Sequence, residues 1–496
     1  MPGLWRIPLS LLLVSCFSTA QETHSHSAPE KLGRVSFPVS CSPKVQAQFD
    51  RAVALLHSFA YTDAEDTFHS VAEVDPKCAM AHWGMAMTYY HQLWGPPLVP
   101  GTIAIAQKEI QTAKQIGAGT ERERRFIFAL GLIYRDVDTV PYATRALAYE
   151  HEMSDLASKY RGDVEAQVFY ALALLATASP ADKTHANQKH AIDLLEPLYR
   201  SHPEHPGIPH YLIHACDNAE LAPRGLSAAR AYSQIAPSAP HALHMPSHIF
   251  TQLGLWDDSI ASNLAAREAA HRQGDTGQEL HAMDYLVYAY LQAGRERDAN
   301  QIVQQLKDMP HLDASNFKIA YASTAMPIRY AVERGQWADA AGIVPPTGAP
   351  PQVVAIAIWA RGVGLARSGR AAEARTEGER LRQIEEQLHT SGDNHGATQV
   401  GILRREVMAW SALADGKSDQ AAALMRASAD EEDSIEKLPV TPGPMIPARE
   451  QLGDLLLQQD EPVLALKEFK IALTNAPGRL GALRGAAQAS KLLRQK

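Results

Sequence analysis

Four stretches of this chain repeat one pattern: a small residue, an apolar one four positions later, another at seven and a proline at twelve. The sets are Ala64, Phe68, Val71 and Pro76; Ala191, Leu195, Leu198 and Pro203; Ala228, Tyr232, Ile235 and Pro240; and Ala465, Phe469, Ala472 and Pro477. Spacings of four and seven put side chains on one face of a helix. The small residue lets a second helix approach closely, and the two larger ones fill the groove between them. The proline closes the unit, because it cannot continue a helix.

Elsewhere Ala, Leu, Glu, Gln and Arg dominate, apolar residues keep helical spacing, and strand-like alternation is almost absent. Partial copies of the pattern run through GLWDDSIASNLAA, AYLQAGRERDANQIVQQL, RGQWADAAGIV and LARSGRAAEARTEGERL, with Gly254, Gly294, Gly335 and Gly369 at turns between helices. Leu452 and Gly453, upstream of Ala465, extend the last full copy. The pattern resembles the tetratricopeptide repeat, a helix–turn–helix of about 34 residues. The resemblance covers most of 45–490, with an irregular patch at 92–160. It implies an all-α chain coiled as a right-handed superhelix, and it says little about function, since one fold hosts many.

Two proline-rich breaks, VPPTGAPP at 344–351 and LPVTPGPMIP at 438–447, interrupt the array. We divide the chain into residues 1–20, an N-terminal array at 21–345 and a C-terminal array at 346–496. The first twenty residues read as a secretory signal: one arginine, the short apolar run IPLSLLLV, and Ser18 and Ala20 before a cleavage point at Gln21. Leu13-Val14-Ser15-Cys16 also resembles a bacterial lipobox, with Cys16 as the lipid-bearing residue. Either reading exports the protein, to the periplasm, the medium or the outer membrane. No other apolar run approaches the roughly 18 residues of a membrane span. A net charge of −8 without a Lys/Arg block speaks against nucleic acid as a partner. Cys41 and Cys78 flank the first helical hairpin, either as a disulfide in an oxidising compartment or, with Cys216, as buried thiols.

The chemistry lies in the histidines. Seven of the 21 (His202, His205, His210, His214, His241, His244 and His248) fall within residues 202–248, where an even spread would place about two. His210 and His214 are one turn apart, and His241, His244 and His248 follow a three-and-four spacing. In the register that the resemblance implies, first-helix positions lining the concave groove are taken by His241, His244 and His248; by His281, Asp284 and Tyr288; by His210 and Asp217, with His214 beside them; and by His57 and His91. The expected metal ligands are therefore His57, His91, His210, His214, His244, His248, His281 and Asp284. Imidazole with a carboxylate suits zinc, copper or iron better than magnesium or calcium. Pro246 stands against part of this reading. If it begins a helix, His241 and His244 fall in the loop before it and their spacing loses its meaning. His202 and His205 read as connectors, and the aromatics around His91 (Trp83, Tyr89, Tyr90, Trp94) as packing.

Phosphate-binding, dinucleotide-binding, nucleophile-elbow and H-E-x-x-H motifs are all missing. Two readings remain. In one, the groove binds a peptide, protein or small-molecule ligand and carries a histidine-rich metal site. In the other, the cluster is the active site of a hydrolytic or oxidative metalloenzyme. Convergence of the ring nitrogens within about 4–5 Å would favour a metal, given metal–nitrogen bonds of roughly 2.0–2.1 Å.

Overall fold

The computed structural model describes residues 30–93, 100–437 and 440–495. The stretch read as an export signal, Cys16 and Trp94 lie outside them. Every regular element among the described residues is a helix, from Gln46–His57 to Leu480–Gln495. Consecutive helices pair as hairpins, and the pairs stack as a tetratricopeptide-like superhelix. Residues 31–495 form one compact unit, and the described part of the irregular patch is helical too: Pro100–Ile116, Glu121–Tyr134 and Tyr142–Lys159. No described helix is long and apolar enough to cross a membrane.

The repeated pattern packs as its chemistry requires. Ala64, Phe68 and Val71 are fully buried on Tyr61–Val74, and Phe68 lies against Gly84 of the next helix. A Cβ on Gly84 would come within 2.4 Å of that ring. Phe469 repeats the arrangement between Gly453 and Gly485, where an added Cβ would meet it at 2.6 and 2.2 Å. These glycines are needed for close approach, whereas Gly254 is needed for its turn, with φ +68. The proline-rich link at 344–351 joins helices Phe317–Val332 and Pro351–Arg367, which pack on each other.

Cys41 and Cys78 form a disulfide across the first hairpin. Cys216 is a buried thiol, pushed up to about 12 by burial. A cavity of about 510 Å³ is lined by residues from both halves of the chain, among them Asn218, Thr251, Gln252, Trp359, Glu406 and Arg449. The segment after helix Ser418–Ser434 crosses between the two ends: Arg329 donates to Thr441 Oγ1 and to the carbonyls of Gly443 and Pro444, all at 2.9–3.0 Å.

Candidate metal centre

Three helical units deliver six histidines to one place. Helix Gly207–Ala215 carries His210 and His214 one turn apart. Helices Pro240–His244 and Pro246–Gln252 carry His241, His244 and His248, and Thr276–Gln292 carries His281. Pro246 does begin a helix, yet the histidines before it are not in a loop. Met245, the joint, keeps helical dihedrals (φ −53, ψ −36), and its N–H still reaches the His241 carbonyl at 2.9 Å. Pro246 breaks the assignment but barely turns the chain, so all three histidines share a face.

The six form two groups. His210, His214 and His241 make the first, and His244, His248 and His281 the second; within each, one potential ligand atom per residue lies within 4.8 Å of the others. His210 Nε2 is 3.1 Å from the Nε2 atoms of both His214 and His241. His244 Nε2 is 3.0 Å from His248 Nε2, and the His281 ring centroid is 4.2 Å from that of His244. The groups are neighbours, with ring centroids 6.2 Å apart both for His214–His248 and for His241–His244.

The partners of the other ring nitrogens fix the tautomers. His210 Nδ1 donates to the His57 carbonyl at 2.6 Å and His248 Nδ1 to Asp217 Oδ2 at 2.8 Å. His244 Nδ1 donates to Asn263 Oδ1 at 2.7 Å, and the Asn263 amide nitrogen donates to the Ser259 carbonyl, which sets that side chain's orientation. Each of these Nε2 atoms therefore carries a lone pair. Burial pushes His210 down to about 3 and holds His214, His241, His244 and His281 well below the ordinary imidazole range. Burial lowers His248 as well, against the pull of Asp217. All six are neutral near pH 7, the form that binds metals.

Behind the centre lies a polar shell. Burial opposes the charge of Asp217, but Lys437 and His248 hold it below the usual carboxylate range. Lys437 Nζ donates to Asp217 Oδ2 at 2.7 Å, and Gln252 Nε2 to Oδ1 at 3.0 Å. Gln252 and Lys437 also line the cavity, so Asp217 links its wall to His248. The Tyr285 hydroxyl lies 3.5 Å from His248 Nε2 and 3.4 Å from its Nδ1, and its ring packs edge-on against His244 and His281.

Of the expected ligands, the structure brings together His210, His214, His244, His248 and His281. His57 stands one layer back: its carbonyl anchors His210, and its ring joins a third cluster with Glu165 and His205. There, His57 Nε2 and His205 Nε2 donate to the two Glu165 oxygens at 2.8 and 2.9 Å, while Tyr211 O–H and Gly207 N–H donate to the opposite nitrogens. Burial works against the Glu165 charge, and His205 and His57 hold it ionised. His91 joins none of the groups; it stacks on Tyr61 at 4.0 Å and donates to the Thr88 carbonyl. Asp284 also stands apart, paired with Arg329 at 3.0 Å. His241, a groove position outside the expected set, belongs to the first group. His205, read as a connector, is a buried partner of Glu165. Asn263 and Lys437 carried no signal in the sequence, since neither lies in a motif.

No family model and no curated protein matches the chain. Solved structures with a similar course include IFIT1 with m7Gppp-AAAA (12% identity, 84% of this chain and 90% of that one, TM-score 0.38). Others are the Cut9–Hcn1 hetero-tetramer of APC/C (10%, 90% and 76%, 0.36) and yeast Tom70 (10%, 91% and 96%, 0.26). At such scores the likeness adds no argument, and the tetratricopeptide-like architecture rests on the packing register itself.

Proposed function

We propose that this chain is an exported helical-repeat protein that binds a transition metal, zinc, copper or iron, through His210, His214, His241, His244, His248 and His281. The carrying observation is the 3.0 Å approach of His244 Nε2 to His248 Nε2. Both rings spend their only N–H on an oxygen acceptor, so no proton is left to join the two lone pairs. An electrophile between them removes the repulsion, and three imidazoles with an open fourth position are a familiar ligand set for such an ion. The anchoring oxygens of Asn263, Asp217 and His57 are the partners that orient metal-bound imidazoles. The Cys41–Cys78 disulfide supports an oxidising compartment, in line with the export reading of the first twenty residues.

A second reading, that the centre is catalytic, is favoured by the cavity behind Asp217, whose volume suits a small-molecule or peptide ligand. Elemental analysis of protein purified without a histidine tag tests the first reading. It expects stoichiometric transition metal, lost in the His214→Ala/His248→Ala double variant. Metal-free protein that folds and does not take up zinc, copper or iron on dialysis sinks it.

A further inference from the structure

The two histidine groups differ from most paired-metal sites in one respect: neither contains a carboxylate. All six donors are neutral imidazoles. The nearest carboxylates are already neutralised, Asp217 by Lys437 at 2.7 Å and Asp284 by Arg329 at 3.0 Å. Burial lowers Lys318 against the pull of Asp275, and Lys318 in turn disfavours protonation of His241, His244 and His281. Asp217 and Asp284 are therefore already balanced by bases and leave little negative charge to offset an added cation. His244, His248, His281, His210 and His241 are at most 2% exposed, so water screens little of any charge placed among them.

Two divalent ions would bring four positive charges into this neutral, buried place. Uncompensated charge is expensive in such surroundings. The protein supplies no anion, so one must come from solution. Paired-metal sites hold their ions roughly 3.5–4 Å apart, and the two groups are immediate neighbours, with tilted rings whose centroids lie 6.2 Å apart for both His214–His248 and His241–His244. Resting on the metal-binding reading, we propose that the two three-histidine groups each hold one ion and that the pair binds a small inorganic anion, of the class of hydroxide or azide, between them. The bridging anion completes both coordination shells and lowers the charge of the pair. Such a ligand needs no pocket of its own, and Tyr285 packed edge-on beside the second group helps to keep bulkier ligands out.

Cobalt(II) is a suitable probe, because its visible spectrum reports coordination. Metal-depleted full-length protein should take up two cobalt ions per chain. Titrated azide should then change the spectrum with one azide per two ions. In His210→Ala, which disrupts the first group, and in His281→Ala, which disrupts the second, one ion should remain and azide should bind at least ten-fold more weakly. Circular dichroism checks that each variant folds. Uptake of one cobalt by the wild type, or of two without azide binding, overturns the proposal while leaving the metal-binding reading intact. Azide binding as tight in the single-ion variants as in the wild type also overturns it. No uptake of any metal by the wild type overturns the underlying reading instead.

Discussion

Two buried histidine clusters lie side by side in this molecule, and they are built on opposite principles. In the His57–Glu165–His205 cluster every ring nitrogen has a donor or acceptor of the right kind, and a carboxylate sits at the middle. In the six-histidine centre, rings anchored at Nδ1 turn their lone pairs on one another, and no carboxylate intervenes. The first is complete as it stands. The second is the one we read as a metal site. Proximity of histidines does not separate them, since both groups meet the same distance test for a metal; the placement of protons does.

That contrast can be broken or sharpened by experiment. The largest difference should come from added metal. At a thousand-fold excess over Kd, zinc should stabilise the wild type by about 4 kcal/mol, read as a rise in Tm, and should do nothing for the His214→Ala/His248→Ala variant. A similar zinc response in that variant would place the binding at the Glu165 cluster. Next, Glu165→Gln should cost about 2–4 kcal/mol in urea unfolding, because a buried charge is lost and one imidazole N–H is left against an amide donor. It should still bind metal, and loss of metal in this variant would merge the two clusters into one site.

Asp217→Asn addresses the shell of the centre. Weakening the acceptor for His248 should lower metal affinity by about 10–100-fold, measured by competition with a chelator. The smallest effect lies far from both clusters. Asp454 is pushed up to about 7, by burial and then by Glu450, against Arg367 and Arg479. A carboxyl raised in the folded state stabilises it below the unfolded pKa of roughly 4, and that contribution is lost as pH rises towards 7. Asp454→Asn should therefore remove a fall in stability of about 1–3 kcal/mol between pH 4 and 7. An unchanged pH profile would show that Asp454 ionises normally.

Much of the fold was legible in the sequence because its packing rule is local. A small residue, two larger ones on its face and a proline lie within thirteen positions, and Ala64 with Phe68 or Ala465 with Phe469 can be read without knowing what they touch. The histidine faces were legible for the same reason. What escaped was set by distance along the chain. Asp284 sits in groove register but is claimed by Arg329, 45 residues on. His57 is separated by 108 residues from Glu165, which draws its ring into a different group from the six histidines. Lys437 reaches Asp217 across 220 residues. Pro246 misled in the other direction: a proline signals a boundary, but the dihedrals of the residue before it decide whether the chain changes course.

The contact between Lys437 and Asp217 also sets an order of events. All six histidines have been synthesised by residue 281, and their helices can pack as soon as they emerge. The ammonium that balances Asp217 arrives more than 150 residues later, and the Thr441–Pro444 segment that clasps Arg329 later still. A growing chain therefore passes through a stage in which the centre has its ligands but an unbalanced carboxylate beside them. An ion that enters early meets a more negative site than the finished protein offers. On the metal-binding reading proposed above, loading before and after Lys437 is in place are different reactions, and the second is the more selective of the two against excess positive charge.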